Sequence, residues 1–435
     1  MKPDSHFGPG TARADVQPTG PYKYYVLFAL TLALGISTAD RALPLVLLEP
    51  IRRELGLSDT QSGFMAGPAY SILFALGGIP LGLLADRVGR ARVVAGCMVL
   101  WSTMIGLCGV AGSYLQLVAF RMGVGLGESG VGPGSMAIVS GAFPERRRAF
   151  VVSVLYLGSP LGSFLALGGG AWLAASHGWR STFIVAGAAG VALAGLLALT
   201  VRDPNPVSRG GDGAAAPPFR EVVAFMLRQR SLIHLLMGAL LSQAVAMTMA
   251  SFQTSLLMRS YGLSLKQAGA SLALIMSIAP AVSHLSAGWL ADHLALRDER
   301  WRARLCTLGT LGAALGLSLV LGAPSVPAAI ACLAFYHLFQ PFYNGLVLAN
   351  IQSLVPPRMR ATAGAVNFVM LMIGSGIGPL VVGMTSDALA PVYGSHALRY
   401  ALLTGLPFYA WALVHFWLSE KTLPAEFERA KAAVA

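Results

Sequence analysis

The chain has 435 residues, of which 55% are hydrophobic and only 11% are charged. An ordinary soluble domain carries about 25% charged residues, so this composition excludes a water-soluble enzyme and a disordered chain. The 31 Lys and Arg residues against 19 Asp and Glu give a net charge of +12. Because one helical crossing of a membrane needs about 20 apolar residues, the remaining class is a membrane protein with many crossings.

The apolar runs occur in chain order as six, a polar break and six more. They lie at about 24–48, 61–84, 92–112, 115–142, 150–174, 180–200, 232–257, 267–291, 304–322, 326–354, 362–386 and 397–418. The sequence therefore predicts an all-α membrane protein with twelve transmembrane helices. The expected domains are a disordered cytoplasmic tail at 1–22, a six-helix bundle at 23–201, a cytoplasmic linker at 202–230, a second six-helix bundle at 231–420 and a cytoplasmic tail at 421–435.

The positions of the basic residues predict the orientation. With the N-terminus inside, 23 of the 31 basic residues fall on the cytoplasmic side, six on the other side and two within apolar runs. Such an excess of Lys and Arg marks the cytoplasmic loops of membrane proteins. We expect both termini and the linker to be cytoplasmic. A nucleic-acid partner is not expected, because it would need these charges on one contiguous face.

The two halves of the chain repeat each other. Gly82-Leu-Leu-Ala-Asp86 recurs as Gly288-Trp-Leu-Ala-Asp292, and Gly158-Ser-Pro-Leu-Gly162 recurs as Gly374-Ser-Gly-Ile-Gly378. A six-helix unit duplicated in parallel predicts two bundles related by a pseudo-twofold axis normal to the membrane. In transporters of this kind the substrate site lies near the middle of the bilayer, between the halves.

The first copy of the repeated loop resembles a signature of the major facilitator superfamily. The resemblance implies an inner gate that holds the outward-facing state of the transporter; the alternative is a basic anchor with a tight turn. The second copy has His293 where the signature has Arg, which puts its gate role in doubt. The candidate inner-gate residues are Gly82, Asp86, Arg87, Gly89, Arg90 and Arg92.

Four charged residues lie inside apolar runs. Arg121 and Glu128 are seven residues apart and share one helix face, about 10 Å apart along the axis, in an arginine-and-glycine pattern that also resembles the superfamily. Asp40 and Arg41 are adjacent and point in different directions. Charges at this depth are costly and are functional by default. We expect Arg41 to meet Glu128 or an anionic substrate group, and Asp40 to titrate or to pair with Arg121.

Together these features resemble the spinster branch of the superfamily. They are Asp40-Arg41, Gly127-Glu128, the loop from Phe143 to Ala149, and Tyr156-Leu-Gly-Ser-Pro-Leu-Gly162. The resemblance implies proton-linked movement of an amphipathic lipid of the lysophospholipid or sphingosine-1-phosphate type. Ser37 stands where animal members typically have Asn, so the resemblance supports the coupling residues more firmly than the substrate.

The expected mechanism is alternating access driven by protons. Glu128 and Asp40 are the candidate proton-coupling residues, because a carboxyl between apolar surroundings and an arginine changes its protonation when the arginine moves. Arg41 and Arg121 are the candidate head-group or ion-pair residues. Candidates for the lining of the substrate pocket are Ser37, Gln243, Phe252, His337, Gln340, Asn344 and Asn367.

Two alternative functions stay open. One is a proton-linked transporter of small organic anions or hydrophobic drugs, and the other is a membrane sensor or scaffold that has lost transport. No motif for ATP hydrolysis and no spacing of metal ligands is present, so an enzyme, a cofactor and a metal are not expected. The expected location is the cell membrane, as a multi-pass monomer in a bacterial inner membrane.

Overall fold

The structure, a computed structural model, describes residues 20–144, 147–201 and 217–432. The predicted tail at 1–22 lies almost wholly outside the described residues. Within these residues the first half contains ten α-helices and the second half nine. In chain order they are α1 Tyr22–Val46, α2 Leu48–Leu55, α3 Asp59–Ala66, α4 Pro68–Val88, α5 Arg90–Cys108, α6 Tyr114–Glu128, α7 Val131–Ala142, α8 Arg148–Tyr156, α9 Gly158–Phe164, α10 Ala171–Thr200, α11 Phe219–Arg228, α12 Arg230–Tyr261, α13 Leu265–Ala295, α14 Trp301–Gly322, α15 Val326–Phe339, α16 Phe342–Leu354, α17 Arg360–Tyr393, α18 Ala397–Ala401 and α19 Gly405–Ala432.

These helices form twelve membrane crossings, six in each half, which confirms the predicted fold class. Eight stretches are long and apolar enough to cross a membrane, and those at Phe150–Thr200 and Pro357–Arg429 are long enough for more than one crossing. Several crossings consist of two helices in series: α3 with α4, α6 with α7, and α15 with α16. Within α10, Gly178 has a φ of 82° and separates the fifth crossing from the sixth.

The second half extends further than its apolar runs indicate. The predicted linker contains α11, whose Val222 and Met226 are buried. The predicted tail from 421 continues α19, because Leu423 and Phe427, one helical turn apart, pack into the core of the second half. Glu426 accepts a hydrogen bond from the backbone N–H of Ser231 at 3.2 Å.

The repeated glycines lie at matching helix contacts in the two halves. A Cβ atom on Gly162 of α9 would lie 2.0 Å from the backbone oxygen of Gly35 on α1. A Cβ atom on Gly378 of α17 would likewise lie 2.0 Å from the backbone oxygen of Ala244 on α12. Only glycine allows the backbones to approach so closely. The internal repeat of the sequence thus corresponds to the same contact made once in each half.

The halves meet near one face of the membrane, which we call the Glu49 face; the opposite side, with the turn at Gly89, is the Gly89 face. A Cβ on Gly63 of α3 would lie 2.2 Å from the backbone oxygen of Pro379 on α17. Deeper along these two crossings, the rings of Phe74 and Phe368 are 5.3 Å apart. The first and second halves are therefore closed against each other at the Glu49 face.

We predict that Gly162→Ala destabilises the protein, because the added methyl group forces α9 away from α1. Overpacking of this kind costs about 1–3 kcal/mol. Gly96→Ala on α5 is the matched control, since no atom lies within 4 Å of its added Cβ. Melting in detergent should show a lower Tm for Gly162→Ala only. Equal Tm values for the two variants would contradict this account of the helix contact.

Candidate functional site

A cluster of buried polar side chains lies in the middle of the first half. Three of its four charged members, Asp40, Arg121 and Glu128, are at most 3% exposed. The glycines of α6 explain how they come together. A Cβ on Gly125 would lie 2.2 Å from the backbone oxygen of Tyr70 on α4, and one on Gly127 would lie 2.8 Å from Trp101 on α5. The alternating glycines therefore let α6 approach α4 and α5 closely enough for their polar groups to meet.

Arg41 and Glu128 form an ion pair across α1 and α6. Arg41 Nε lies 2.9 Å from Glu128 Oε2, and the Arg41 side chain is 41% exposed whereas that of Glu128 is fully buried. Arg41 Nη2 also donates to the hydroxyl of Ser37 at 3.1 Å. This is the first of the two arrangements that the sequence left open for Arg41. Because the Arg41 side chain is partly exposed, its guanidinium is also within reach of a second anion.

Asp40 points away from Arg41, as adjacent helical residues must. Its carboxylate accepts a hydrogen bond from Trp101 Nε1 at 2.9 Å, and both residues are buried. Among the described side chains, Asp40 and Arg121 form no ion pair within 4.0 Å, although they are close enough to interact electrostatically. Asp40 was expected either to titrate or to pair with Arg121, and the pair with Arg121 is not formed in this conformation.

Tyr70 contacts both Glu128 and Arg121 within this cluster. Its hydroxyl donates to Glu128 Oε2 at 2.8 Å, and the guanidinium carbon of Arg121 lies 5.2 Å from the centre of its ring. Arg121 Nε and Nη1 are buried without a hydrogen-bond partner, and so is Glu128 Oε1. A buried guanidinium with unused donors is costly, and it can donate those hydrogen bonds to an anionic group.

Sequence reasoning missed Tyr70 and Trp101. Both are aromatic residues within apolar runs, where packing is the ordinary role. One feature of the sequence could have indicated them. Each has a polar group that needs a partner when buried, and carboxylates were expected at the same depth in the membrane. The structure shows that these two aromatics hold Glu128 and Asp40 in place.

The candidate pocket residues of the second half form separate hydrogen-bonded groups. Gln243 donates to Ser375 at 2.9 Å and accepts from the Tyr343 hydroxyl at 2.7 Å. His337 Nε2 and Gln253 Oε1 are 2.9 Å apart. These contacts cross-link α12 to α15, α16 and α17, so they organise the wall of the second half.

The remaining predicted pocket residues differ in what they offer. Asn344 and Asn367 each have a buried side-chain oxygen without a hydrogen-bond partner, so each has an acceptor that is not used in folding. Gln340 is half-buried at the end of α15. Phe252 is 0% exposed and belongs to the main hydrophobic core. It packs there in this conformation, so its place in the substrate pocket stays a prediction.

The predicted inner-gate residues lie at the junction of α4 and α5. Gly89 ends α4 with a φ of 104°, a conformation that glycine adopts without strain. Arg92 Nη1 donates to the backbone oxygen of Val88 at 3.3 Å, and Gly82 and Arg87 are exposed. Arg90 begins α5. The side chain of Asp86, on which the gate interpretation depends most, lies outside the described part of the structure.

A group of charges at the Glu49 face, which we call the clamp, joins the two halves. Arg259 of α12 donates to both carboxylate oxygens of Asp59 at 2.8 Å and to Glu49 at 2.8 Å. Glu49 also accepts from Arg52 and Arg53. In the sequence, Arg52, Arg53 and Arg259 were only three of the six basic residues counted on the non-cytoplasmic side. Among the ion pairs between described side chains, those that join the halves all involve Arg259.

In a second contact of the clamp, the second half accepts hydrogen bonds from the first half instead of donating them. Asp387 of α17 accepts hydrogen bonds from the backbone N–H groups of Asp59 and Thr60 at 2.9 and 2.8 Å. These groups begin α3, so a carboxylate of the second half caps a helix of the first. Ser386 donates to Asp59 at 2.6 Å. The Glu49 face is thus closed by directional, charge-assisted bonds.

The clamp also has a pH dependence. Burial alone would raise the pKa of the Glu49 carboxyl, but the guanidinium groups of Arg259 and Arg52 outweigh burial and lower it from 4.5 to about 2. Only the part of this lowering that comes from Arg259, on the opposite half, is gained on closure, and that part stabilises the closed state above the ordinary pKa of Glu49. That stabilisation is lost as the pH falls from about 4.5 towards 2.

We predict that Arg259→Gln opens the Glu49 face. Loss of its buried charge-assisted bonds costs about 2–5 kcal/mol and shifts the halves apart. Spin labels at Val110 and Val392, exposed positions on opposite halves, report the separation when the partly buried Cys332 is replaced by serine. The distance should lengthen in Arg259→Gln and, without that substitution, only below about pH 4.5. Lys266→Gln on the same face is the control. A longer distance between the labels in Lys266→Gln but not in Arg259→Gln would contradict the proposed role of the clamp.

We predict that Arg41 and Glu128 are energetically coupled. Arg41→Gln should lower the Tm because it leaves a buried carboxylate without its cation. Adding Glu128→Gln should recover part of the loss. Because Arg41 is partly exposed, the coupling from a double-mutant cycle should be about 1 kcal/mol. Additive effects of the two substitutions would show that the ion pair does not stabilise this conformation.

The family model of the major facilitator superfamily matches residues 30–379. An MFS-type efflux pump of Mycolicibacterium smegmatis is 36% identical over 399 residues, which cover 88% of this chain and 89% of the relative. A D-galactonate transporter of Escherichia coli is 26% identical over 422 residues, covering 89% and 96%.

The fold agrees with crystal structures of a bacterial homologue of the human lysosomal transporter Spinster. The inward-facing, unoccupied structure has a TM-score of 0.83 and 25% identity; the inward-facing, occupied structure has a TM-score of 0.84 and 27% identity. Each comparison covers 94% of this chain and 99% of that chain. The chain therefore belongs to the major facilitator superfamily, in its spinster-like branch, and is a multi-pass membrane transporter rather than an enzyme.

Proposed function

We propose that this transporter couples the movement of an anionic amphipath to protons through Glu128. The main support for this proposal is Arg121. Its guanidinium is buried, and its Nε and Nη1 have no hydrogen-bond partner. The ring of Tyr70 lies between this guanidinium and the buried carboxylate of Glu128, to which Tyr70 donates a hydrogen bond. An anionic head group would satisfy those donors. The half-exposed Arg41, bound to the same carboxylate, is the second cation within reach.

The geometry favours a definite order of events. A head group that binds Arg41 competes with Glu128 for the guanidinium. Glu128 without its cation, in a buried site, takes up a proton. Anion and proton therefore favour each other's binding, and by linkage the effect is reciprocal. The proposed mode is cotransport of the anion with a proton, with Asp40, held by Trp101, as the assisting carboxylate.

The clamp supplies the alternating-access part of the proposal. With the Glu49 face closed, we infer that the central site opens towards the Gly89 face; the likeness to the inward-facing Spinster homologue supports this inference. Given the basic residues on the Gly89 side, we infer that this side is cytoplasmic, with both termini there and the chain in a bacterial inner membrane as a monomer. Opening of the clamp and closure of the junction at Gly89 would give the opposite state.

The amphipath is proposed to be of the lysophospholipid or sphingosine-1-phosphate type. The likeness to the Spinster homologue supports it. Small organic anions are the second candidate, supported by the D-galactonate transporter, whose substrate would use the same arginines. Hydrophobic drugs are the third, supported by the mycobacterial efflux pump. A cationic drug would bind the carboxylates and displace protons, which reverses the sign of coupling.

We predict that Glu128→Gln abolishes gradient-driven transport while the protein folds. The amide keeps the size of the side chain and removes the titrating group, and a gradient supplies about 1.4 kcal/mol per pH unit for each coupled proton. The measurement is uptake of labelled lysophospholipid, sphingosine-1-phosphate and D-galactonate into proteoliposomes, with and without a pH gradient. Glu221→Gln, at a carboxylate outside the cluster, should transport normally.

The three probes separate the candidates. Gradient-dependent flux of a lipid probe supports the first proposal, and flux of D-galactonate alone supports the second. Full gradient-driven flux in Glu128→Gln would refute coupling through this residue. No flux of any probe by folded, unsubstituted protein would refute both anion proposals.

A further inference from the structure

Proton coupling through Glu128 requires that its proton affinity differ between the two states of the transporter. A ligand, including a proton, shifts a conformational equilibrium only as far as its affinities for the two states differ. Glu128 and its partners Arg41 and Tyr70 belong to the first half, whereas the two states differ in how the halves meet. A contact between the halves must therefore reach the partners of Glu128.

One of these partners, Tyr70, lies beside a contact between the halves. Its hydroxyl donates to Glu128 Oε2 at 2.8 Å. The next residue on α4, Ser71, faces the second half, because a Cβ on Gly376 of α17 would lie 2.8 Å from its Oγ. One turn earlier, a Cβ on Gly67 would lie 2.9 Å from the backbone oxygen of Gly376. The α4 segment that carries Tyr70 is thus packed directly on α17.

The ring of Tyr70 begins a series of aromatic contacts that crosses between the halves. The rings of Tyr70 and Phe74, one helical turn apart on α4, are 5.3 Å apart. The ring of Phe74 is in turn 5.3 Å from that of Phe368 on α17. Tilted aromatic pairs at such distances attract each other. Phe368 of the second half therefore supports the ring whose hydroxyl binds Glu128.

The backbone around Tyr70 is held in place, so its hydroxyl moves by rotation of the side chain. A Cβ on Gly125 of α6 would lie 2.2 Å from the backbone oxygen of Tyr70, and this close contact keeps α4 against α6. The Tyr70 ring has Phe74 as one neighbour and the guanidinium of Arg121, 5.2 Å from its centre, as another. A shift of Phe74 is therefore the change that the second half can impose on Tyr70.

We propose that Tyr70 is a positioning residue that makes the proton affinity of Glu128 depend on the contact between the halves; this rests on the proposed coupling through Glu128. With Phe368 against Phe74, the Tyr70 hydroxyl stabilises the charged form of Glu128. When α17 separates from α4, Phe74 loses its partner, the Tyr70 ring rotates and Glu128 loses a donor. The carboxylate then takes up a proton more readily.

This dependence has the direction that cotransport requires. With the Glu49 face open, the Tyr70 hydroxyl is away from Glu128 and proton uptake is favoured. With that face closed, the hydrogen bond forms and proton release is favoured, towards the Gly89 face. The proton is thus bound on one side of the membrane and released on the other.

Titration of Glu128 in purified protein tests the proposal. Infrared spectra of the carboxyl groups are recorded across the pH range in which the protein stays folded, and the band that Glu128→Gln removes is assigned to Glu128. Tyr70→Phe keeps the ring and removes only the hydroxyl. The midpoint of the Glu128 band should rise by about one to two pH units, because the carboxylate loses a charge-assisted hydrogen bond.

Phe368→Ala tests the link to the second half. Phe368 is 40% exposed, and substitutions at exposed positions are usually tolerated by the fold; Phe368→Leu is the second variant if the Ala variant does not fold. The midpoint should rise in Phe368→Ala, and combining it with Tyr70→Phe should give no further rise, because the hydroxyl through which it acts is absent. Ile377→Ala, also on α17 and 40% exposed, is the matched control and should leave the midpoint unchanged.

The outcomes separate this proposal from the proposed function. An unchanged midpoint in Tyr70→Phe or in the Phe368 variant would overturn the role of Tyr70 and leave coupling through Glu128 standing. So would a Phe368 shift that persists in the Tyr70→Phe background, or an equal shift in Ile377→Ala. If Glu128→Gln removes no titrating band, Glu128 does not exchange a proton, and both the coupling and the role of Tyr70 are refuted.

Discussion

The ion pair between Arg41 and Glu128 is the interaction on which the rest of this structure depends. A carboxylate in the interior of a membrane bundle must have a cation or a proton, because an unpaired buried charge costs several kcal/mol. Arg41 supplies the cation at 2.9 Å, and Tyr70 supplies a hydrogen bond on the same oxygen. Whatever removes Arg41 forces a proton onto Glu128. In the proposed function, this electrostatic requirement is what couples the binding of an anion to the binding of a proton.

The clamp at the Glu49 face must be strong enough to close one side and weak enough to release it. A transporter needs both of its states populated, so the free energies of the states differ by only a few kcal/mol. Arg259 and Asp387 both reach from the second half to the first residues of α3, Arg259 as a donor and Asp387 as an acceptor. The first turn of α3 therefore bonds to both α12 and α17, and these bonds must break when the halves separate at this face.

The sequence predicted what helical periodicity and charge determine. The spacing of Arg121 and Glu128, the depth of Asp40 and Arg41 and the repeated glycines follow from residue order, and the fold agrees with the expected family. Tyr70 and Trp101 could not be found in this way, because aromatic residues in apolar runs usually pack. The clamp was missed because Arg259 is 200 residues from Asp59. The continuation of α19 was missed because Leu423 and Phe427 are apolar positions in a polar stretch.

The central claim is that an anion and a proton bind together, and proton exchange on binding tests it most directly. Sphingosine-1-phosphate is added to purified protein in weakly buffered detergent solution at neutral pH, and a pH-sensitive dye records protons taken up or released. The account predicts proton uptake by the protein, and none in Glu128→Gln at matched occupancy. Proton release on binding, or the same uptake in Glu128→Gln, would contradict it.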